Sequence, residues 1–289
     1  MYFCRYHDLQ RQDFYSLCPK SFMLVGKIIS DKLNHMTNTI YFDQICPQLP
    51  RIDPAHRTIR DELARALEEK WSKNKLHEID YNVNDLSAML TFSPYLQRLA
   101  LRHDIDVIGS LQTPNYQQIE LARADFINEI ENARCDEVAM RAIRKWRERS
   151  ALAIALGDIA GLYDMPTQMR WLSDAAQTVL TYTVEYLFRC AFKQGNIKSF
   201  AKDFTGCGWT LLALGKLGAG ELNFSSDVDL IALHDTNNAP FDSRDSVQPF
   251  FVKMTRDLIR LLSTKTRDGM GWRVDLRLRP DPGATAVSI

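Results

Sequence analysis

Apolar residues recur at helical spacing along most of this chain and at strand spacing only towards its end. Ile59, Leu63, Ala66 and Leu67, with charged residues between them, predict a helix from about Thr58. Ser93 followed by Pro94 predicts the start of another, with serine at the cap and proline at the first helical position. Ile119, Ala122, Phe126 and Ile130 form the apolar stripe of a helix over 114–134, and a further helix is read over 172–193 through Val179, Tyr182, Val184, Leu187 and Phe188. Residues 1–55 are interrupted by Pro47, Pro50 and Pro54, and within them 22–29 reads as a short buried element without a functional reading.

The pattern changes after Thr205-Gly206-Cys207-Gly208. Trp209–Leu214 reads as a buried strand, followed by a glycine-studded turn, Gly215-Lys216-Leu217-Gly218-Ala219-Gly220. A second strand runs out of Asp227 through Val228-Asp229-Leu230-Ile231-Ala232-Leu233, and a loop at 235–240 ends it. Val247, Phe250, Phe251, Met254, Leu258, Leu261 and Leu262 trace one helix face, with Ser246 as a candidate cap and an end near 265–269. From Trp272 to Pro280 the alternation is strict: Val274, Leu276 and Leu278 on one face, Arg273, Asp275, Arg277 and Arg279 on the other. The expected fold class is α+β: a helical region over 1–200, then a unit over 201–289 ordered strand, turn, strand, helix, strand.

Composition narrows the function classes. The 289 residues are 45% hydrophobic with 36 basic and 36 acidic side chains, so the chain has material for a core and no net charge for coating nucleic acid. No apolar run is long enough to span a bilayer and the N-terminus does not read as a signal peptide, so no membrane role and a cytoplasmic location are expected. Six cysteines without a C-x-x-C pair are expected to be free thiols, and the six scattered histidines receive no metal role. Residues 141–149 carry five basic side chains and one acid, which fits an anion-binding face or a solvated helix face.

The candidate chemistry lies in the last ninety residues. Strand spacing puts Asp227 and Asp229 on one face, and two carboxylates that close favour a cation between them. Hard oxygen ligands beside phosphate suit Mg²⁺. A two-metal phosphoryl or nucleotidyl transfer site calls for a third carboxylate, and Asp275 supplies one, 48 residues after Asp227, on a strand face that also carries arginines. Arg277 and Arg279 fit either phosphate contacts or salt bridges to the aspartates. Gly215, Gly218 and Gly220 permit close backbone approach to phosphate, Ser225 and Ser226 add hydroxyls, and Lys216 adds a point charge, although the spacing is not that of a Walker A loop. The structural alternative is aspartates that cap a turn and pair with the nearby arginines.

Read together, Leu214-Gly215-Lys216-Leu217-Gly218, Glu221-Leu222-Asn223-Phe224-Ser225-Ser226-Asp227-Val228-Asp229-Leu230 and Arg273-Val274-Asp275-Leu276-Arg277-Leu278-Arg279-Pro280 resemble the glutamine synthetase adenylyltransferase family over roughly 85–289. The wording Asn223-Phe224-Ser225-Ser226 and the tail Arg279–Thr285 are closer to that family's N-terminal, adenylyl-removing copy. The resemblance implies a nucleotidyltransferase core like that of DNA polymerase β, incomplete at its C-terminal side, because family members are much longer and this chain stops at Ile289. It implies removal of AMP from a glutamine synthetase tyrosine by phosphorolysis to ADP, in a family that also adenylylates that tyrosine with ATP. Asp227, Asp229 and Asp275 would be the Mg²⁺ triad, and Gly215, Ser225 and Ser226 would line the nucleotide phosphates. Implied partners are glutamine synthetase, adenine nucleotide (ATP or ADP), inorganic phosphate and, for full-length members, a nitrogen-signalling regulatory protein. The competing expectations are a fragment that binds glutamine synthetase without catalysis, and a nucleotidyltransferase of the same fold with another substrate.

Overall fold

The computed structural model describes residues 52–73, 83–104, 106–107, 109, 115–198, 207–237, 247–278 and 286–289. The expected element at 22–29, the Ser246 cap, Arg279 and the tail 280–285 lie outside them. The described residues fall into two compact units. One lies within Phe22–Ala122 and Glu148–Gln168; the other includes Arg123–Arg147 and Met169–Ile289.

The first unit is helical. Helix α1 (Pro54–Lys73) starts four residues ahead of the expected position, because Asp53 accepts the His56 backbone N–H at 2.9 Å and Pro54 takes the first helical position. Its buried stripe is Leu63, Ala64, Leu67 and Trp71, whereas Ile59, expected in the stripe, is 39% exposed. Helix α1 packs against α2 (Val83–Leu90) and α3 (Pro94–Arg102). The expected cap of α3 is present: Ser93 Oγ accepts the Leu96 N–H at 3.3 Å. Within this unit Glu148 takes Arg102 and His103, both at 2.9 Å, and Arg149 takes Asp106 at 2.7 Å.

Three long helices follow in the chain: α4 (Asn115–Glu131), α5 (Asp136–Ile159) and α6 (Met165–Lys193). Helix α6 starts earlier than its apolar stripe implied, since Asp164 accepts the Thr167 N–H at 2.9 Å and caps it. Residues 123–147 and 169–193 of these helices belong to the same unit as the sheet. Their shared core stacks Phe126 on Trp146 at 5.9 Å, and Trp146 Nε1 donates to the Ala175 carbonyl at 3.0 Å.

The sheet is small and mixed, with order β1-β2-β3, as the α+β expectation required. Strand β1 (Trp209–Ala213) pairs antiparallel with β2 (Val228–His234), and β2 pairs parallel with β3 (Val274–Asp275). A parallel pair needs a crossover, which α8 (Val247–Ser263) supplies while burying Val247, Phe251, Met254, Leu258, Leu261 and Leu262. Trp209 stacks on Phe251 at 6.0 Å and ties β1 to that helix. Residues 288 and 289 rejoin the β3 edge of β2: Ile289 N–H donates to the Ala232 carbonyl at 3.0 Å and His234 N–H to the Ile289 carbonyl at 2.7 Å.

Two local expectations change. The glycine turn contains a short helix, α7 (Gly215–Ala219), closed by Gly220 in the left-handed conformation at φ 74°. The alternating strand covers two residues, Val274 and Asp275, rather than the nine from 272 to 280. Asp275 Oδ1 accepts the Arg277 backbone N–H at 2.8 Å, a side-chain turn that stops the strand and leaves Leu278 54% exposed.

The basic run divides: Arg141 is exposed beside Glu137 at 3.4 Å, as on a solvated face, while Arg144 and its neighbours are taken up by the fold. Arg144 is fully buried and donates to the carbonyls of Met140 (2.8 Å), Leu261 (2.9 Å), Gly269 (3.3 Å) and Thr264. Three of those carbonyls lie in the last turn of α8 and the turn after it, so the guanidinium supplies donors to a helix end that has none of its own. Lys145 pairs with Glu129 at 2.5 Å, and Arg147 stacks over Trp272 at 5.1 Å.

Candidate functional site

The site is assembled where the C-terminal end of β1, the start of β2 and β3 meet. Leu214 N–H donates to the Asp229 carbonyl at 2.9 Å and sets α7 beside the first turn of β2. Gly215 has φ 53°, and a Cβ there would collide with Asp229 Oδ2. A Cβ on Gly218 would lie 2.5 Å from the Ala213 carbonyl oxygen. These glycines therefore let α7 sit against the strand and its carboxylate; the phosphate-cradle reading is not needed to account for them. Lys216 is exposed on the same short helix.

The chain then turns back towards β2. Leu222 N–H donates to Ser173 Oγ at 3.0 Å, which fixes the loop to α6. Asn223 Oδ1 accepts the Ser225 N–H at 3.2 Å and the Ser226 hydroxyl at 2.8 Å, folding 223–226 into a tight turn. Arg147 reaches the Phe224 carbonyl at 3.4 Å and Arg273 the Ser225 carbonyl at 2.7 Å. Asp227 leaves this turn immediately before β2, paired with Arg273.

The third carboxylate is placed by register. Asp229 and Asp275 are directly paired across the parallel β2–β3 ladder, as Val228 and Val274 are. Ser263, the last residue of α8, donates its hydroxyl to the Trp272 carbonyl at 2.9 Å and accepts the Val274 N–H at 3.2 Å. Val228 N–H donates to the Arg273 carbonyl at 2.8 Å. Asp275 is thus held by the strand ladder on one side and by the helix terminus on the other.

The electrostatics follow from this crowding. Burial, then Asp275, then Asp227 push the Asp229 carboxyl above its ordinary range, and Arg277 opposes them. Asp275 is held below its ordinary range by Arg277, which is bidentate on it: Nε at 2.9 Å and Nη2 at 2.6 Å from Oδ2. Asp227, Asp275, Arg273 and Arg277 share the lining of an open depression of about 450 Å³ with Ile259, Val274, Leu276 and Val287. Asp229, Gly215, Lys216, Ser225 and Ser226 do not line it.

Three hard oxygen donors in one corner are the right chemistry for Mg²⁺, and the like-charge strain on Asp229 is what a divalent cation would relieve. Their oxygens are not turned into a ready cage, however. Among the described residues no group of three His, Cys, Asp or Glu side chains is placed to hold a metal ion, and arginines occupy two of the three carboxylates. Of the two, Arg277 is 82% exposed, so its rotation frees Asp275 at little cost, whereas Arg273 is also anchored on the Ser225 carbonyl. Sequence reasoning missed Ser173, Asn223 and Ser263 as supports of the site, and Arg147 and Arg273 as clamps on its turn. Arg273 had a signal in the alternating run, Arg147 in the basic run and Asn223 in the motif wording, whereas Ser173 and Ser263 had none.

No helix among the described residues is long and apolar enough to cross a membrane. Comparison with known proteins agrees with the site's motifs. A relative named bifunctional glutamine synthetase adenylyltransferase/adenylyl-removing enzyme, from Xanthobacter autotrophicus, is 45% identical over 152 residues, covering 52% of this chain and 15% of the relative. The proteins of the same name from Rhizobium meliloti and Bartonella henselae are 35% and 29% identical, covering 71% and 88% of this chain and 21% and 27% of theirs. The chain therefore spans between 15% and 27% of the length of these relatives. The family model for glutamate-ammonia ligase adenylyltransferase matches residues 83–289, a stretch that contains the glycine helix, the serine turn and all three aspartates, and the chain belongs to that family.

Proposed function

We propose that this chain carries the adenylyl-removing site of its family, acting on adenylylated glutamine synthetase in the cytoplasm. The observation that carries the reading is the ladder pairing of Asp229 with Asp275, with Asp227 at the entry to the same strand. The family membership and the relatives' names support glutamine synthetase as the protein partner, and the Asn223–Ser226 wording supports the adenylyl-removing half.

The reaction is a phosphorolysis. An orthophosphate oxygen attacks the adenylyl phosphorus, the bond from phosphorus to the tyrosine oxygen breaks, and ADP and a tyrosine phenol result once the phenolate takes a proton. Asp227, Asp229 and Asp275 would hold Mg²⁺, which supplies charge neutralisation for the attacking and departing oxygens. The chain's own contribution is placement: the ladder fixes Asp275 against Asp229, Ser263 fixes the start of β3, and Arg147 with Arg273 fixes the turn before Asp227. Arg273 and Arg277 supply planar forks suited to phosphate oxygens along the depression.

Incubation of adenylylated glutamine synthetase with this chain, orthophosphate and Mg²⁺ is expected to release ADP. Absence of ADP both with this chain and with a longer chain containing it would sink the assignment.

A further inference from the structure

Two arginines sit on the carboxylates of this site, and they are held differently. Arg273 has two anchors, Asp227 and the Ser225 carbonyl. Arg277 has one: its guanidinium meets only Asp275 among its described hydrogen-bond partners, while 82% of its side chain is exposed. Its permanently charged guanidinium is nonetheless attracted by the whole cluster. Asp275 raises its affinity for the proton most, and Asp227 and Asp229 add to that. A protein cation thus rests in the field of all three aspartates, in the corner where a divalent cation would bind.

Resting on the metal-site reading above, we propose that Arg277 is an exchangeable counter-ion. It neutralises the aspartates in the free protein, a divalent cation displaces it, and the released guanidinium takes the phosphate oxygens of the incoming anion. Three observations argue for exchange over a fixed salt bridge. The guanidinium end of the pair is in solvent although the Asp275 side chain is only 17% exposed, so the arginine leaves to water while the carboxylate stays partly covered, where a doubly charged ion outcompetes it. Asp275 keeps its place without the guanidinium, because Oδ1 also accepts the Arg277 backbone N–H and the strand is pinned by Ser263. The side chain already lines the open depression, so its release leaves a planar cationic fork facing that space.

Exchange makes metal and anion binding interdependent. The metal frees the guanidinium for the anion, and the anion, by holding the guanidinium, keeps the carboxylates free for the metal; linkage requires the two effects to be equal. A fixed salt bridge leaves only the direct attraction between metal and anion.

The test uses Mn²⁺ as a spectroscopic probe of the intact chain, with orthophosphate as the anion. Free and bound Mn²⁺ are measured by electron paramagnetic resonance, and circular dichroism confirms that each variant is folded. Wild type is expected to bind Mn²⁺ several-fold more tightly when orthophosphate is present. Arg277→Gln is expected to bind Mn²⁺ about fivefold more tightly than wild type without phosphate, because it loses both a competitor and a nearby positive charge. In that variant the enhancement by phosphate should fall severalfold, to the part that direct attraction between Mn²⁺ and phosphate supplies. Arg277→Gln with unchanged or weaker Mn²⁺ binding, or with the phosphate enhancement intact, overturns the exchange while leaving the metal site standing. Failure of both wild type and Arg277→Gln to bind Mn²⁺, or Mn²⁺ binding that survives Asp229→Asn, overturns the metal-site reading and the exchange with it.

Discussion

The same side chain does opposite work behind and in front of strand β3. Behind it, Arg144 is buried and its guanidinium is spent on four backbone carbonyls, without a carboxylate partner in hydrogen-bond contact. Burial lowers its affinity for the proton and Asp268 partly restores it. In front, Arg273 and Arg277 are exposed and rest on aspartates. A buried arginine saturated by carbonyls is a fixed part of the fold, since moving it strands donors and acceptors together. An exposed arginine on a carboxylate is held by little more than screened attraction and is free to change partners. The site is therefore a rigid ladder with one anchored counter-ion, Arg273, and one exposed counter-ion, Arg277, held by Asp275 alone among its described hydrogen-bond partners.

Removing the rigid element should have the largest effect. Arg144→Ala takes the guanidinium donors from the Leu261 and Thr264 carbonyls, while Gly269 keeps the Thr266 N–H and Met140 lies inside α5, and it leaves a void beneath the end of α8, at a cost of about 3–5 kcal/mol. Chemical denaturation should show that loss, and a midpoint close to wild type would mean that α8 is held by packing alone. Ser263→Ala removes one hydroxyl that bridges α8 to β3 and should cost about 1–2 kcal/mol, with hydrogen exchange at the Val274 amide accelerating beyond the global change. Unchanged exchange at Val274 would contradict its role as the clamp on Asp275.

The next effect has the opposite sign. Asp229 has a raised carboxyl pKa in the folded chain, so its stabilising contribution is complete below the unfolded carboxylate range and is lost as pH rises through the raised folded value. At neutral pH it is a net cost. Asp229→Asn should then raise Tm by about 1–3 °C at pH 7 without metal, with the gain shrinking in acid. A loss of stability at pH 7 would show that hydrogen bonding to the Asp229 carboxylate outweighs the repulsion. Smallest is Arg277→Gln, expected to leave the denaturation midpoint at the wild-type value, because the guanidinium is in solvent.

Much of this organisation was legible in the sequence, for identifiable reasons. Helix faces such as Ile119, Ala122, Phe126 and Ile130 could be read because burial on a helix repeats every three to four residues, and all four are buried. The Ser93 cap was equally plain, being a local hydrogen bond. The α+β order followed from the change of period near Trp209. What misled was local chemistry overriding period. Arg273 to Arg279 alternate as a strand should, but the Asp275 side chain closes a turn on the Arg277 amide and ends the strand at two residues. Starts set by Asp53 and Asp164 were missed because the capping residue precedes the apolar stripe. Within the site, the three aspartates could be grouped from spacing, whereas Ser173 and Ser263 could not, because each acts on a segment that only tertiary packing brings to it. The run 141–149 carried too little information on its own: the fate of Arg144 depends on carbonyls more than a hundred residues away.

The central claim is that Asp275 completes a metal-dependent nucleotidyl-transfer site with Asp227 and Asp229. ADP release from adenylylated glutamine synthetase, measured with orthophosphate and Mg²⁺ for wild type and Asp275→Asn side by side, tests it most directly. The account predicts ADP release by wild type, a loss of at least about 100-fold in the variant and a Tm within a few degrees of wild type. Undiminished ADP release by a folded Asp275→Asn variant would contradict it.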